Sequence, residues 1–438
     1  LYYILLRPWA DVFENSLLSL RLFSLFFGLL SIIGTYILAQ EIFRKRSIAF
    51  LSSLFMFFNA FQIQYNMEAR MYTLGTFFAI ISSIFLLKGL RSKSLLWWLL
   101  YTGGAVAAIY THYYLGFILL AQGAFALFYI QKETGFSLAS WIRNKNFRLL
   151  SISVGLIILS FLPWLPTFLT QIQRVQDAFW IPSMTIWSIP YTLFKMFTSF
   201  DIDPAILSIP LVGSITAVLV LSALLLLLFK YKQTGRLLIL FSLIIPFSAS
   251  LLLSLKTSIY LDRYFILFLP FLLIAVASAI ISIKSLMLRS SLITILTLAA
   301  FTSFPIYWQS INADAKPGMA AASQYLNESV EIQDKLIVNS SFIYFTFQYY
   351  NTTSINPLLY APGDIPHFSG TALLNEEDLL SDFNKAAVSG DTVWTLDTTG
   401  FGNFQPSVPS SWAKESEKIY KDAPDFKGVI IVRKYIVE

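Results

Sequence analysis

A chain of 438 residues that is 56% hydrophobic and only 13% charged, with a mean hydropathy of +0.66, is too apolar for a soluble protein, where roughly a quarter of residues carry charge. The absence of cysteine excludes disulfides, thiolate catalysis and Cys-ligated metal sites. The net charge of +6 does not point to nucleic acid, because the lysines and arginines alternate from loop to loop as they do in a membrane protein.

In chain order, residues 1–17 read as the end of an outer loop. Apolar stretches long enough to cross a hydrocarbon core of about 30 Å then recur. They predict helices near 18–42, 48–66, 71–90, 94–112, 113–130, 147–168, 205–229, 236–255, 264–283 and 288–308. Residues 18–308 therefore form a transmembrane domain of about ten helices. After Trp308 the composition turns polar and mixed, with Pro-Gly punctuation. Residues 309–438 read as one water-soluble α/β domain. "KLIVNSSF", "DTVWTL" and "GVIIVRKYIV" have strand character, and 319–329 and 374–387 helical character.

Lys and Arg in the short loops set the orientation. Fifteen fall in one alternate set of loops, around Arg44–Arg46, Lys88–Lys93, Lys132–Arg148, Lys230–Arg236 and Lys284–Arg289. Seven fall on the opposite side before residue 308. The first set is expected in the cytoplasm, and the C-terminal domain outside it. The chain begins with Leu, also on the outer side, without a signal-peptide layout. The expectation is that a first membrane helix and the start of an outer loop precede it.

On the outer face, acids, arginines and a histidine gather. Asp11, Glu14 and Arg21 lie in or beside the first loop. Glu68 and Arg70, in "YNMEARMY", are the only formal charges between Arg46 and Lys88. "YTHYY" carries His112. The loop around "FWIPSMTIWSIPYTLFKMF" is flanked by Arg174, Asp177, Asp201 and Asp203, and "LDRYF" holds Asp262 and Arg263. Charges confined to one face are where chemistry is expected. A guanidinium at the outer end of a helix suits a lipid-linked phosphate, because it stays charged and donates two parallel hydrogen bonds. An acceptor hydroxyl needs a carboxylate to take its proton.

Each of these residues has a plainer reading. Glu68 and Arg70 also suit a structural ion pair, and Arg263 a headgroup anchor. Asp262 suits an ion pair or helix cap, and His112 a hydrogen-bonded structural role. Arg21 would hold the first loop down, and Trp180 and Trp187 would sit in the interface belt. Glu68 with His112 is a weak candidate for a divalent cation, the sole cofactor the sequence suggests, since two ligands without a spacing motif do not define a site. His367 receives no role. Asn327, Asn339 and Asn351 lie in sequons, which matter only in a glycosylating host.

"LYYILLRPW", "LLSLRLFSLFFGLLSIIGTYILAQEIF", "QYNMEARMYTL", "YTHYYLGFILLAQ", "FWIP" and "DRYFILFLPFLLI", in that order, resemble the GT-C glycosyltransferases. The group they resemble is glycosyltransferase family 39, relatives of protein mannosyltransferases and bacterial aminoarabinose transferases. The resemblance spans residues 1–308. It implies a polytopic GT-C-like membrane fold and a polyprenyl-phosphate-linked sugar donor. It also implies transfer of a hexose or pentose on the extracytoplasmic side to a lipid, glycan or protein acceptor. It suggests Glu68 as a catalytic group, and Arg70, Tyr72, His112, Asp262, Arg263 and Tyr264 around the donor. It places the main catalytic carboxylate in an acidic motif upstream of Leu1, a position that Asp11 does not match. The alternatives are a transporter or lipid flippase, and a non-catalytic envelope assembly protein. A transporter should carry midplane charges or paired broken helices, whereas these helix interiors hold almost no ionisable residues.

Overall fold

The structure, a computed structural model, describes residues 1–177, 181–198, 208–311, 318–363, 365, 373–400, 404–422 and 428–438. It divides into two compact units, one of residues 1–170 and 180–305, the other of residues 171–179 and 306–438.

The helices before the soluble region are α1 (Tyr2–Phe13), α2 (Leu17–Phe43), α3 (Arg46–Phe58), α4 (Ala60–Asn66), α5 (Tyr72–Ser92), α6 (Leu95–Thr111), α7 (Leu115–Thr134), α8 (Leu138–Arg143), α9 (Lys145–Phe161), α10 (Leu165–Asp177), α11 (Ser188–Thr198), α12 (Ile209–Lys230), α13 (Arg236–Ser254), α14 (Leu269–Ser282) and α15 (Leu286–Ile311). A 3-10 segment, Asp262–Phe268, leads into α14. Among the described residues, seven helical segments are long and apolar enough to cross a membrane, and the bent pair α3–α4 would make an eighth. Two shorter apolar helices, α6 and Leu286–Leu298, complete the set on which the ten expected spans fall.

One expectation about this unit is corrected. The stretch 48–66 is not one straight span. It bends by 58° between Phe58 and Ala60. Asn59 takes extended backbone there, accepts from Gln62 N at 2.9 Å and donates from Nδ2 to Met196 O at 2.9 Å. A buried amide that caps one helix and reaches a second is a local competitor to helical continuity. Within residues 1–17, read as the end of an outer loop, Tyr2–Phe13 is helical. Its apolar face rests on α2. Tyr2 is buried edge-on against Phe23 at 5.4 Å, and Trp9 Nε1 donates to Ser19 O at 3.0 Å.

Inside the helical unit, small and hydroxyl residues let helices approach. A Cβ at Gly34 would lie 2.8 Å from Ile80 on α5. The Ser31, Thr35, Ser52, Thr76 and Ser83 hydroxyls return to carbonyls one turn back, which satisfies them in an apolar interior. Polar side chains also cross between helices at depth. Gln122 Nε2 on α7 donates to Ser82 Oγ at 2.8 Å and Ser83 Oγ at 3.0 Å on α5, all three side chains fully buried.

The second unit carries α16 (Gly318–Ser329), β1 (Lys335–Val338), α17 (Ser341–Tyr350), β2 (Leu358–Tyr360), β3 (Leu379–Leu380), β4 (Thr392–Thr398), β5 (Trp412–Lys421) and β6 (Val429–Val437). The sheet order is β3-β2-β1-β4-β6-β5, parallel from β3 to β4 and antiparallel through β6 and β5. "SSF" does not extend β1. Ser340 caps α17 by accepting from Phe342 N, so the end of that stretch opens a helix instead. The helix expected over 374–387 is instead two short 3-10 turns flanking β3, with Asn375 and Asp378 forming a capping box. The sequon asparagines Asn327 and Asn351 use their side-chain amides to hold the Tyr350 and Ile355 carbonyls, and Asn339 donates to Asp397 at 2.6 Å.

Candidate functional site

The "YNMEARMY" turn is built from below. Asn66 ends α4 with its Oδ1 accepting from Gln62 Nε2 at 2.8 Å, and it lies so close to α2 that a Cβ on Gly28 would fall 2.1 Å from that oxygen. The turn then closes with Arg70 N donating to Glu68 O at 2.8 Å. Ser24 Oγ reaches Arg70 O at 3.4 Å and shares a 3.0 Å hydrogen bond with the Tyr2 hydroxyl. Tyr72 is buried at the start of α5, its ring edge-on to Tyr65 at 5.0 Å. Glu68 is half-buried and Arg70 exposed.

The 3-10 segment lies against this turn. A Cβ on Gly75 would meet Leu267 at 2.7 Å, and Thr76 Oγ1 bridges Tyr72 O at 2.9 Å and Ile266 O at 3.4 Å. Asp262 accepts from Lys195 Nζ at 2.6 Å through Oδ2 and from Arg263 N at 2.7 Å through Oδ1. The Arg263 side chain hydrogen-bonds Tyr72. The third wall is "YTHYY". His112 Nδ1 accepts from Tyr114 N at 3.2 Å, so in the neutral ring the proton belongs to Nε2. Its ring lies 4.8 Å from Tyr264 and 6.0 Å from Tyr72, and Tyr114 stands 4.7 Å from Tyr264. The Tyr114 hydroxyl donates to Ile259 O.

Residues from three separated turns thus converge. Glu68, Tyr72, Asp262 and Arg263 all act electrostatically on Tyr65, and Arg70, Arg263 and Tyr72 on Tyr264. Asp262 is tied on both oxygens, as a cap and ion-pair partner would be. Glu68 and His112 gain no third ligand: among the described residues, no group of three or more His, Asp or Glu side chains is arranged to hold a metal ion. Asp11 lies on α1, Glu14 follows it at φ 70°, and Arg21 is near the start of α2. Trp187 is half-buried beside α11. Trp180, Asp201, Asp203 and His367 lie outside the described residues, as do the side chains of Arg174 and Asp177.

Sequence reasoning missed Lys195, Tyr65 and Tyr114 as members of this cluster. Lys195 is the one charged residue in the 11-residue helix α11, and that isolation was the available signal.

A bundle of apolar helices with the Glu68–Arg70, His112 and Asp262–Arg263 turns gathered at one end, joined in sequence to a mixed α/β sheet, has the GT-C-like fold of polytopic membrane proteins. The chain is similar to ArnT from Cupriavidus metallidurans. The crystal structure of that protein bound to undecaprenyl phosphate matches with a TM-score of 0.60 and 12% identity, over 98% of this chain and 87% of that one. Its apo structure matches with a TM-score of 0.60 and 11% identity, over 98% and 86%. No protein-family model matches the chain, and no curated protein matches it in sequence.

Proposed function

We propose that this chain is an integral-membrane glycosyltransferase that takes a sugar from a polyprenyl-phosphate donor and passes it to an acceptor hydroxyl at the Glu68–Arg70–His112–Arg263 cluster. The observation that carries the reading is the meeting of Arg263 and Arg70 with an aromatic wall of Tyr72, Tyr264 and His112, drawn from three turns. The likeness of fold to a protein solved with undecaprenyl phosphate supports it.

In this reading the bond between the anomeric carbon and the phosphate oxygen breaks, and a bond from the acceptor oxygen to that carbon forms. The leaving polyprenyl phosphate keeps the electron pair. Arg263 and Arg70 stabilise that charge, and poor screening near the membrane strengthens each contact. Glu68 takes the acceptor proton within the described chain. Asp262, held by Lys195, positions Arg263 instead. The tyrosines give the sugar flat walls and keep water from the anomeric carbon. No step runs through a metal, because the described residues do not fit a cation cage. The Lys/Arg excess of the opposite loops supports an extracytoplasmic location for this face and for the C-terminal domain.

Transfer from a polyprenyl-phosphate sugar, measured beside melting in detergent, tests the proposal. Arg263→Ala should slow transfer at limiting donor roughly tenfold to a hundredfold, the value of a charge-assisted contact. Arg263→Lys should recover only part, whereas a headgroup anchor would recover almost fully. Glu68→Gln should lower turnover with little change in melting. If Arg263→Ala and Glu68→Gln both leave turnover intact at saturating and limiting donor, the site is wrong. Movement of intact donor across a bilayer without product would instead indicate a flippase.

A further inference from the structure

The opposite end of the helical unit holds a second feature, unconnected with the reading above. Where α2 and α5 end, beside α7 and the start of α13, lies a cavity of about 260 Å³. Phe43 and Phe125 line it together with Arg44, Arg91, Gln233 and Thr234. Arg91 is held in place by Glu41, through Nη1 to Oε2 and Nη2 to the backbone oxygen, both at 2.8 Å. Arg44 follows α2 in the left-handed region at φ 51°, and its side chain is exposed. Lys132 Nζ reaches Thr234 Oγ1 at 3.4 Å, which leaves the Thr234 hydroxyl proton to be donated elsewhere. Arg236, next to the lining residue Gly235, has a buried Nε with no hydrogen-bond partner.

Charge does not balance here. Among the described residues, Arg44, Lys132 and Arg236 pair with no carboxylate. Glu41 is shared by Arg91 at 2.8 Å and Lys88 at 3.8 Å, and Glu133 answers Lys93 at 3.6 Å. An excess of loop lysine and arginine is explained by orientation alone. A cavity lined by Arg44 and Arg91, whose lining residue Gly235 is followed in the chain by a guanidinium N–H shut away from water without an acceptor, is not. That N–H is costly until something accepts from it.

We propose that this cavity binds the phosphate of an anionic phospholipid headgroup from the leaflet around it. The cationic and hydroxyl groups supply donors for a phosphate diester. The aromatic lining and the position at the ends of membrane-spanning helices favour a lipid over free phosphate. Basic pockets between helices on this side of a membrane take acidic headgroups by the same physics.

The test uses the full chain in neutral detergent, titrated with phosphatidylglycerol, phosphatidylcholine or inorganic phosphate, and followed by melting temperature and native mass spectrometry. Phosphatidylglycerol should stabilise and remain bound, and the other two should not. Arg44→Gln and Lys132→Gln should each weaken phosphatidylglycerol binding about fivefold, and together more than tenfold, without lowering the lipid-free melting temperature. Arg46→Gln, which removes the same charge from the same face outside the cavity, should leave binding unchanged. Equal loss in Arg46→Gln would mean a diffuse basic surface and overturn the proposal. Equal protection by inorganic phosphate would mean a free-anion site and overturn the lipid assignment.

Discussion

Gly28 offers a sharp test of how the "NMEARMY" turn is held. A methyl group there would stand 2.1 Å from Asn66 Oδ1 and 2.6 Å from Asn66 Cγ, and the three nearest atoms all belong to Asn66. Asn66 has little room to retreat. It is 6% exposed, and its oxygen is held by Gln62, which is fully buried and tied through its backbone to Asn59. Gly28→Ala must therefore force a shift of about 1 Å, an overpacking cost of about 1–3 kcal/mol. Loss of the Gln62–Asn66 hydrogen bond adds about 0.5–1.5 kcal/mol. Asn66→Ala alone strands the buried Gln62 amide, at about 1–3 kcal/mol. In the Asn66→Ala background the clash is absent, so Gly28→Ala should cost nothing and recover up to about 1 kcal/mol of helix propensity. The double-mutant cycle should show coupling of about 2–4 kcal/mol, far above the ~0.5 kcal/mol scatter of independent sites. Unfolding in detergent measures it. If the two effects simply add, Asn66 does not hold the turn against α2.

Three further outcomes are expected. Lys195→Met should destabilise the protein by about 1–3 kcal/mol by leaving the half-buried Asp262 unpaired, and Asp262→Asn in the same chain should restore most of it in a melting experiment. A reporter active only in the cytoplasm, fused after residue 320, should stay silent, and a strong signal would reverse the assigned orientation. Expressed alone, the C-terminal domain should be soluble, and its pH dependence should carry two opposite signs. Burial raises the Asp397 carboxyl above its ordinary value, outweighing Asn339 and Arg433. The resulting cost is full above the raised pKa and relieved as pH falls toward the ordinary carboxylate range, so the native domain should gain on Asp397→Asn between about pH 7 and pH 4. The Arg433 hydrogen bond lowers Glu417, whose contribution is present above the ordinary value and lost as pH falls through the lowered one. A native domain that loses stability relative to Asp397→Asn on acidification would contradict the assignment.

The spans were legible because a membrane helix announces itself by composition over some 20 residues, a signal that tertiary context seldom overrides. The candidate cluster was legible for a related reason: charge is so scarce along these spans that Glu68, Arg70, Asp262 and Arg263 stand out against their surroundings. What composition does not carry is a side chain acting on a distant backbone. The break at Asn59 depends on Met196, 137 residues away, and Lys195 is meaningful only once Asp262 is beside it. In the C-terminal domain the strand reading of "KLIVNSSF" stops short and the helix reading of 374–387 gives way to 3-10 turns, because capping side chains decide both. "SFIYFTFQYY" has strand-like residues but a serine cap. β5, "WAKESEKIYK", is a sheet edge exposed along much of its length, so it lacks the alternation that marks a half-buried strand.

Gln122 has a consequence beyond its own hydrogen bonds. It lies about 12 Å along α7 from Tyr114, by helical rise, and its amide grips two successive serines of α5. Two contacts on adjacent residues resist both sliding and rolling, since either motion would strand the Gln122 amide in an apolar interior, while the serine hydroxyls keep their bonds to Ala79 O. When bilayer thickness changes and long helices tilt to match it, α5 and α7 must therefore tilt as one piece. Tyr72 at the head of one and Tyr114 at the head of the other should then keep their spacing, and the cluster they flank would be insulated from changes in membrane thickness.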